Sequence, residues 1–155
     1  MKIALISFLN PSGWIENCIG EYDQKINHFI KLELCFLKSD KKSRQQKSDK
    51  KEAESALLIK QLTSDDYVIL LDEKGKFFGS IEWSKKIQSA MSSSKKRLVF
   101  IIGGAFGVSD DIKKRAHITL SLSELTMNQN IAHAVFLEQL YRSMTIIHHF
   151  PYHND

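Results

Sequence analysis

Residues 98–104 read Leu-Val-Phe-Ile-Ile-Gly-Gly, and this stretch most narrows the folds open to the chain. Five apolar residues in succession, three of them β-branched, suit a short buried strand, and Gly103 and Gly104 stop it in a tight loop. The loop closes at Gly107. Ser109 then offers a helix N-cap and Asp110 and Asp111 first-turn acids, which predicts a short helix through Lys114 and Arg115. A second strand over 118–122 runs into another polar loop at 121–126. Two strand exits this close together mark, in an open α/β sheet, the crevice where a small ligand binds.

The rest of the chain supplies the sheet and its cover. Residues 2–8 are basic then apolar, as a secretory leader would be, but the apolar part is short and no small-residue cleavage site follows, so they read as the first strand. The spacing of Trp14, Ile15, Cys18, Ile19, Tyr22, Ile26, Phe29 and Ile30 predicts a helix over 12–29. Residues 32–37 are a second strand, and Ala53, Ala56, Leu57 and Leu62 mark a second helix. A third strand covers 67–71 and ends in the turn-like Asp-Glu-Lys-Gly-Lys of 72–76. Ser80 caps a helix carrying Ile81, Ile87 and Met91, which Ser92, Ser93 and Ser94 break. Strands separated by helices predict an α/β fold: a mostly parallel sheet with helices on both faces, as one domain spanning 1–155.

Charge is concentrated rather than spread. The chain carries a net +4, yet residues 38–51 hold seven Lys or Arg against two Asp, so the remainder is close to neutral. No apolar side chain lies in that block, which therefore cannot pack. It is either a solvated loop kept soluble by lysine or a surface for an anionic polymer, with Lys41, Lys42, Arg44 and Lys47 as RNA contacts. A membrane partner is not expected, since no run of about 18 apolar residues occurs, and the expected anionic polymer is RNA, not DNA. Cys18 and Cys35 stand apart in apolar surroundings, as reduced core thiols of a cytoplasmic protein would.

The final helix, about 131–147, is apolar over most of its circumference, with Glu138, Arg142 and Thr145 as a narrow polar strip. Glu138 and Arg142 are spaced to pair along it. Such a helix is covered on two sides. Either it lies wholly within one domain, or a second copy covers it, and a homodimer through this helix is the expectation adopted here.

Five segments carry a family resemblance: LLDEKGK at 70–76, FIIGGAFG at 100–107, LSLSELT at 120–126, EQLYRSMTI at 138–146 and PYH at 151–153. In this order and spacing, over essentially the whole chain, they resemble the bacterial RlmH family, ribosomal RNA large-subunit methyltransferases of the SPOUT class that act on N3 of a pseudouridine. The resemblance implies a homodimer, a C-terminal trefoil knot, and S-adenosylmethionine held in the knot loops. It places Leu71, Gly103, Gly104, Ser121, Leu122, Ser123, Glu124, Leu125 and Thr126 around the cofactor. Glycine lets main chain approach a ligand closely. No Walker lysine follows Gly107 and the glycines do not form G-x-G-x-x-G, so phosphate-loop and dinucleotide readings fit poorly.

Methylating a ring N–H requires a group that takes the proton or stabilises the anion. The candidates are Glu138, Arg142, Tyr152 and His153. In the resembled family the terminal Tyr-His completes the opposite subunit's pocket, which puts Tyr152 and His153 on the substrate side. Arg142 either contacts RNA phosphate, stabilises the anionic ring or simply bridges Glu138. His148, His149 and His153 lack a companion Cys or carboxylate set, so no metal is expected. The chain departs from the family pattern at Asn128 and Gln129, where a Pro-His pair is usual, and at His133, where an Arg is usual; His133 replaces that cation only if protonated. Two functions follow: an active RNA methyltransferase, or a catalytically weak RNA-binding or assembly protein on the same scaffold.

Overall fold

In the computed structural model, residues 1–39 and 46–154 are described. Strands and helices alternate along the chain as β1 (Lys2–Ser7), α1 (Trp14–Asn27), β2 (Leu32–Phe36), α2 (Lys47–Lys60), β3 (Asp66–Phe77), α3 (Ser80–Met91), β4 (Arg97–Ile102), α4 (Asp110–Arg115), β5 (Ile118–Ser121) and α5 (Gln129–Ile147). The strands form one sheet of order β2-β1-β4-β3-β5, parallel at every pairing.

The apolar run lies inside this sheet. Phe100 pairs with Leu5 of β1 on one side and Ile69 of β3 on the other. Successive side chains of a strand point to opposite faces. Leu98, Phe100 and Ile102 accordingly join the core beneath α1, α3 and α5, while Val99 and Ile101 join a second core with Leu58 of α2 and Ile112 of α4. Both faces are therefore helix-covered, which explains why β4 has no polar position after Arg97 at its start.

After β4 the chain crosses beyond β3 to add β5 at the sheet edge. The loops leaving β4 and β5 thus flank the carboxyl end of β3, and a crevice opens there. The stretch 72–76, read above as a turn, is instead a break within a longer β3: Leu71 and Lys76 both align with Leu120, so residues 72–75 leave the ladder and return. A bulge and a turn draw on the same residue types, which is why the sequence pattern did not separate them. Gly75 is required there, since a Cβ would stand 2.6 Å from the Leu120 carbonyl carbon.

Two capping expectations change in detail. Gly79, not Ser80, is the N-cap of α3, and the Ser80 hydroxyl donates to Gln139 Oε1 on α5 at 2.8 Å. Ser109 is the N-cap of α4, but the helix is tied down by its backbone N–H, which donates to Ser55 Oγ of α2 at 2.8 Å. α2 begins at Lys47, inside the basic block; Lys41, Lys42 and Arg44 fall outside the described residues. Cys18 and Cys35 are free and half-buried. Among the described residues no helix is long and apolar enough to cross a membrane.

α5 rests on the sheet, packed against α1 and α3, with Phe136, Leu137, Leu140 and Met144 fully buried. Ile131, 41% exposed, is its one exposed large hydrophobic residue. Most of the apolar excess is thus covered by the chain itself, and the case for a partner has to rest on other features.

At the opposite end of the strands Arg97 grips the buried Asp66 with Nε at 2.9 Å and Nη2 at 2.8 Å. Burial pushes the Asp66 carboxyl up, but Arg97 and the Thr63 backbone N–H outweigh it and hold its pKa below the usual value. Replacing Arg97 with Met should cost about 3 kcal/mol in urea unfolding, because it strands a buried carboxylate. The sign with pH follows from the lowered native pKa. In the parent protein this contribution is complete above about pH 4 and is lost as pH falls through the native value, whereas Arg97→Met should lose much less on acidification.

Candidate active site

A cavity of about 730 Å³ occupies the crevice at the carboxyl ends of β3, β4 and β5, closed by the first turn of α5. Its walls are the residues around the β3 break, the 102–108 loop and the 121–129 loop, with Lys51 of α2 and Lys113 of α4 at its edge. Of the residues that the resemblance places around a cofactor, Leu71, Gly103, Gly104, Ser121, Leu122, Ser123, Leu125 and Thr126 line it. Glu124 does not. Ser121 Oγ donates to the Ser123 carbonyl at 2.7 Å and the Leu125 N–H to Ser123 Oγ at 2.9 Å, and the tight turn leaves Glu124 exposed.

The glycine loop is shaped by close approach. The Gly107 N–H donates to the Gly104 carbonyl at 3.0 Å, and Gly107 has φ +77°, so residues 104–107 make a turn whose tip carries Ala105 and Phe106. A Cβ on Gly103 would meet Val108 Cγ1 at 2.7 Å, and one on Gly104 would meet Glu54 Oε2 at 2.0 Å. Glu54, a buried carboxylate of α2 not singled out from sequence, braces the loop from behind. Its Oε1 accepts from Ser39 Oγ at 2.6 Å, while Oε2 is buried with no partner among the described residues.

The departures at the start of α5 acquire definite roles. Asn128 caps the helix by accepting the Ile131 N–H at 3.0 Å. Gln129 lines the cavity: its Nε2 donates to the Gly103 carbonyl at 2.8 Å, and its Oε1 is buried without a hydrogen-bond partner among the described residues. His133 is fully buried and lies away from the cavity wall. Its Nδ1 is 2.6 Å from the Gln129 carbonyl, which fixes a proton there, and Nε2 is 2.8 Å from the Ser7 hydroxyl. Burial pushes its pKa below the ordinary value, so it remains neutral and supplies no replacement cation for phosphate or cofactor.

Glu138, Arg142, Tyr152 and His153 come together in a cluster away from the cavity. Arg142 Nε donates to Glu138 Oε1 at 3.0 Å, Arg142 Nη1 approaches His153 Nδ1 at 3.1 Å, and the guanidinium lies 4.8 Å from the Tyr152 ring centroid. Since guanidinium only donates, His153 Nδ1 accepts. Tyr152 Oη donates to Glu138 Oε1 at 3.2 Å, and Gln139 Nε2 donates to Oε2 at 2.7 Å, so both Glu138 oxygens are engaged. Burial first, then Tyr152 and Glu138, push the nearby Tyr22 hydroxyl up to about 12. None of the four predicted residues lines the cavity. Ala132 of α5 does, and Arg142 is ten residues further on, about 15 Å along the axis.

Chemically, the cavity offers main-chain groups from two glycine- and serine-bearing loops, one orphaned amide oxygen, and mixed charge from Asp72, Glu73, Lys74, Lys51 and Lys113. Glu73 Oε2 accepts from Thr126 Oγ1 at 3.3 Å, linking the β3 break to the β5 loop. The bracing by Glu54 is testable. Gly104→Ala should lower the thermal midpoint by several degrees, and combining it with Glu54→Ala, which removes the clash, should recover part of the loss; additive losses would refute the contact.

Residues 1–153 match the family described as "Predicted SPOUT methyltransferase". The chain is 45% identical over 141 residues to the ribosomal RNA large subunit methyltransferase H of Bdellovibrio bacteriovorus, covering 91% of this chain and 90% of that one. The proteins of the same name from Parabacteroides distasonis, 37% identical with both chains fully covered, and Syntrophotalea carbinolica, 32% identical with 99% of both covered, are similar throughout. A parallel sheet whose loops close a cavity at this end, and likeness at this level along the whole chain, place the protein in the RlmH family of SPOUT methyltransferases.

Proposed function

We propose that this ribosomal RNA methyltransferase uses S-adenosylmethionine to methylate N3 of a pseudouridine in the large-subunit RNA, as a cytoplasmic homodimer whose C-terminal part is threaded as a trefoil knot in a single domain. The observation that carries the reading is the cavity: main-chain groups from the two glycine- and serine-bearing loops and the orphaned Gln129 Oε1, a partner for an N–H donor such as an adenine amino group. Its 730 Å³ lies within the usual range for a bound small molecule. Leu71, Gly103, Gly104, Ser121, Leu122, Ser123, Leu125 and Thr126 would hold the cofactor, with Glu124 at the rim. Asp72 and Glu73 favour its positive groups, and Lys51, Lys74 or Lys113 its carboxylate. The cofactor supplies a methyl group on a cationic sulfonium. The protein's tasks are to align donor and acceptor and to manage one proton.

The tail cluster is suited to the second task, with Arg142 stabilising the anionic ring and Tyr152 and His153 contacting the base. Glu138, engaged at both oxygens, positions Arg142 and Tyr152. One nucleobase cannot reach both the cavity and a cluster about 15 Å further along the same helix. This separation supports a dimer in which each cavity is completed by the other copy's tail. Mixing a Gly104→Ala chain with an Arg142→Met chain should therefore restore about a quarter of the parent activity, through mixed dimers with one intact site. No restoration would refute the shared site.

Calorimetry with S-adenosylmethionine separates this reading from that of a catalytically weak RNA-binding or assembly protein, which draws on the missing cation at His133; no binding at millimolar cofactor would favour the latter. Mass spectrometry of ribosomal RNA from cells with and without the protein should then reveal one missing methyl group. Lys47 stands exposed at the start of α2, next to the sequence positions of Lys41, Lys42 and Arg44. Neutralising all four should weaken ribosome binding and flatten its dependence on salt.

A further inference from the structure

The geometry points to a further RNA contact: we propose that Phe106 is a stacking platform for a nucleobase neighbouring the one that enters the cavity, with Lys47 and Lys50 holding the adjoining phosphates. The proposal rests on the reading of the protein as an RNA methyltransferase. Phe106 occupies the tip of the 104–107 turn at the edge of the cavity and is 39% exposed. The ammonium groups of Lys47 and Lys50 each lie 5.7 Å from its ring centroid. Among the exposed aromatic side chains Trp14, Phe77, Phe106 and Phe150, it is the one that both borders this cavity and carries lysines over its ring.

Leaving a phenyl ring in water forfeits the gain of burying it, and this ring is held outward by its surroundings. The Gly107 to Gly104 hydrogen bond closes the turn, Glu54 stands behind Gly104, and Val108 leaves no room at Gly103. The ring is thus presented before any ligand arrives. An exposed aromatic ring with two ammonium groups 5.7 Å from its centroid matches single-stranded nucleic acid, which offers a planar base and a phosphate at every step; the phosphates would draw the lysines off the ring as a base stacks on it. Stacking tolerates any base, so Phe106 contributes affinity rather than sequence choice. The two lysines contribute a term that salt weakens, and the ring contributes one that it does not.

That difference gives the test. The full-length protein is titrated with unmodified large ribosomal subunits over a salt series, without cofactor, so that effects on cofactor binding do not enter. Phe106→Leu should lower affinity about tenfold with the salt slope unchanged, and Phe106→Trp should restore it. Lys47→Met with Lys50→Met should reduce the slope by about two. The added tryptophan should lose emission on binding, measured against the parent protein's Trp14 and Trp83. Unfolding midpoints of all variants separate loss of the ring from loss of the fold. Parent-like affinity of a folded Phe106→Leu, with the parent retaining a steep slope, would overturn the platform alone. A parent protein that binds no ribosomal subunit would overturn the platform and the RNA reading together.

Discussion

The structure depends on the burial of β4 from both sides. With neighbouring strands at both edges and a helix layer over each face, every side chain from Leu98 to Ile101 is removed from water. Such a strand satisfies its backbone only through its neighbours, and it leaves the sheet where those neighbours diverge. Gly103 and Gly104 mark that exit. Because β5 lies beyond β3, the loops after β4 and β5 cannot meet over their own strands, and the space above β3 becomes the cavity.

The close main-chain approaches around this space form one system. Gly75 lets the β3 break pass against Leu120, Gly103 lets the loop close on Val108, and Gly104 sits against the Glu54 carboxylate. α2 is drawn in through Glu54 and through Ser55, which accepts the N–H at the start of α4. The helix that carries the end of the basic stretch is therefore fastened to the loop that forms one wall of the cavity. Charge follows the same division: Asp66 and Arg97 pair at the amino ends of the strands, where they serve the fold, while the lysines of α2 and α4 gather at the carboxyl ends.

α5 joins two chemically distinct regions. Its first turn contributes Gln129 and Ala132 to the cavity, its middle buries Phe136, Leu137 and Leu140, and its last turns carry Arg142 beside the tail. His133 shows how position governs chemistry. A residue that could act as a cation in water is neutral here, fixed between the Gln129 carbonyl and the Ser7 hydroxyl. The covered flanks of α5 also show why a nearly all-apolar helix does not by itself identify a partner: α1, α3 and the sheet account for most of that surface.

Periodicity and punctuation in the sequence determined the order and type of the elements, the double burial of β4 and the position of the glycine exit, because these depend on local pattern, while the residues placed around a cofactor came from the family resemblance, and eight of those nine line the cavity. Its charge pattern located the basic stretch, of which Lys47 and Lys50 are described at the start of α2. Tertiary structure decided the rest. The residues 72–75 leave the ladder only because Leu120 lies opposite both Leu71 and Lys76, Glu54 braces Gly104 across fifty residues, and Glu124 turns outward through bonds its own side chain does not make. The gap along α5 between the cavity and the Glu138, Arg142, Tyr152 and His153 cluster is of the same kind, for distance between two sites is a property of packed elements and not of residue types.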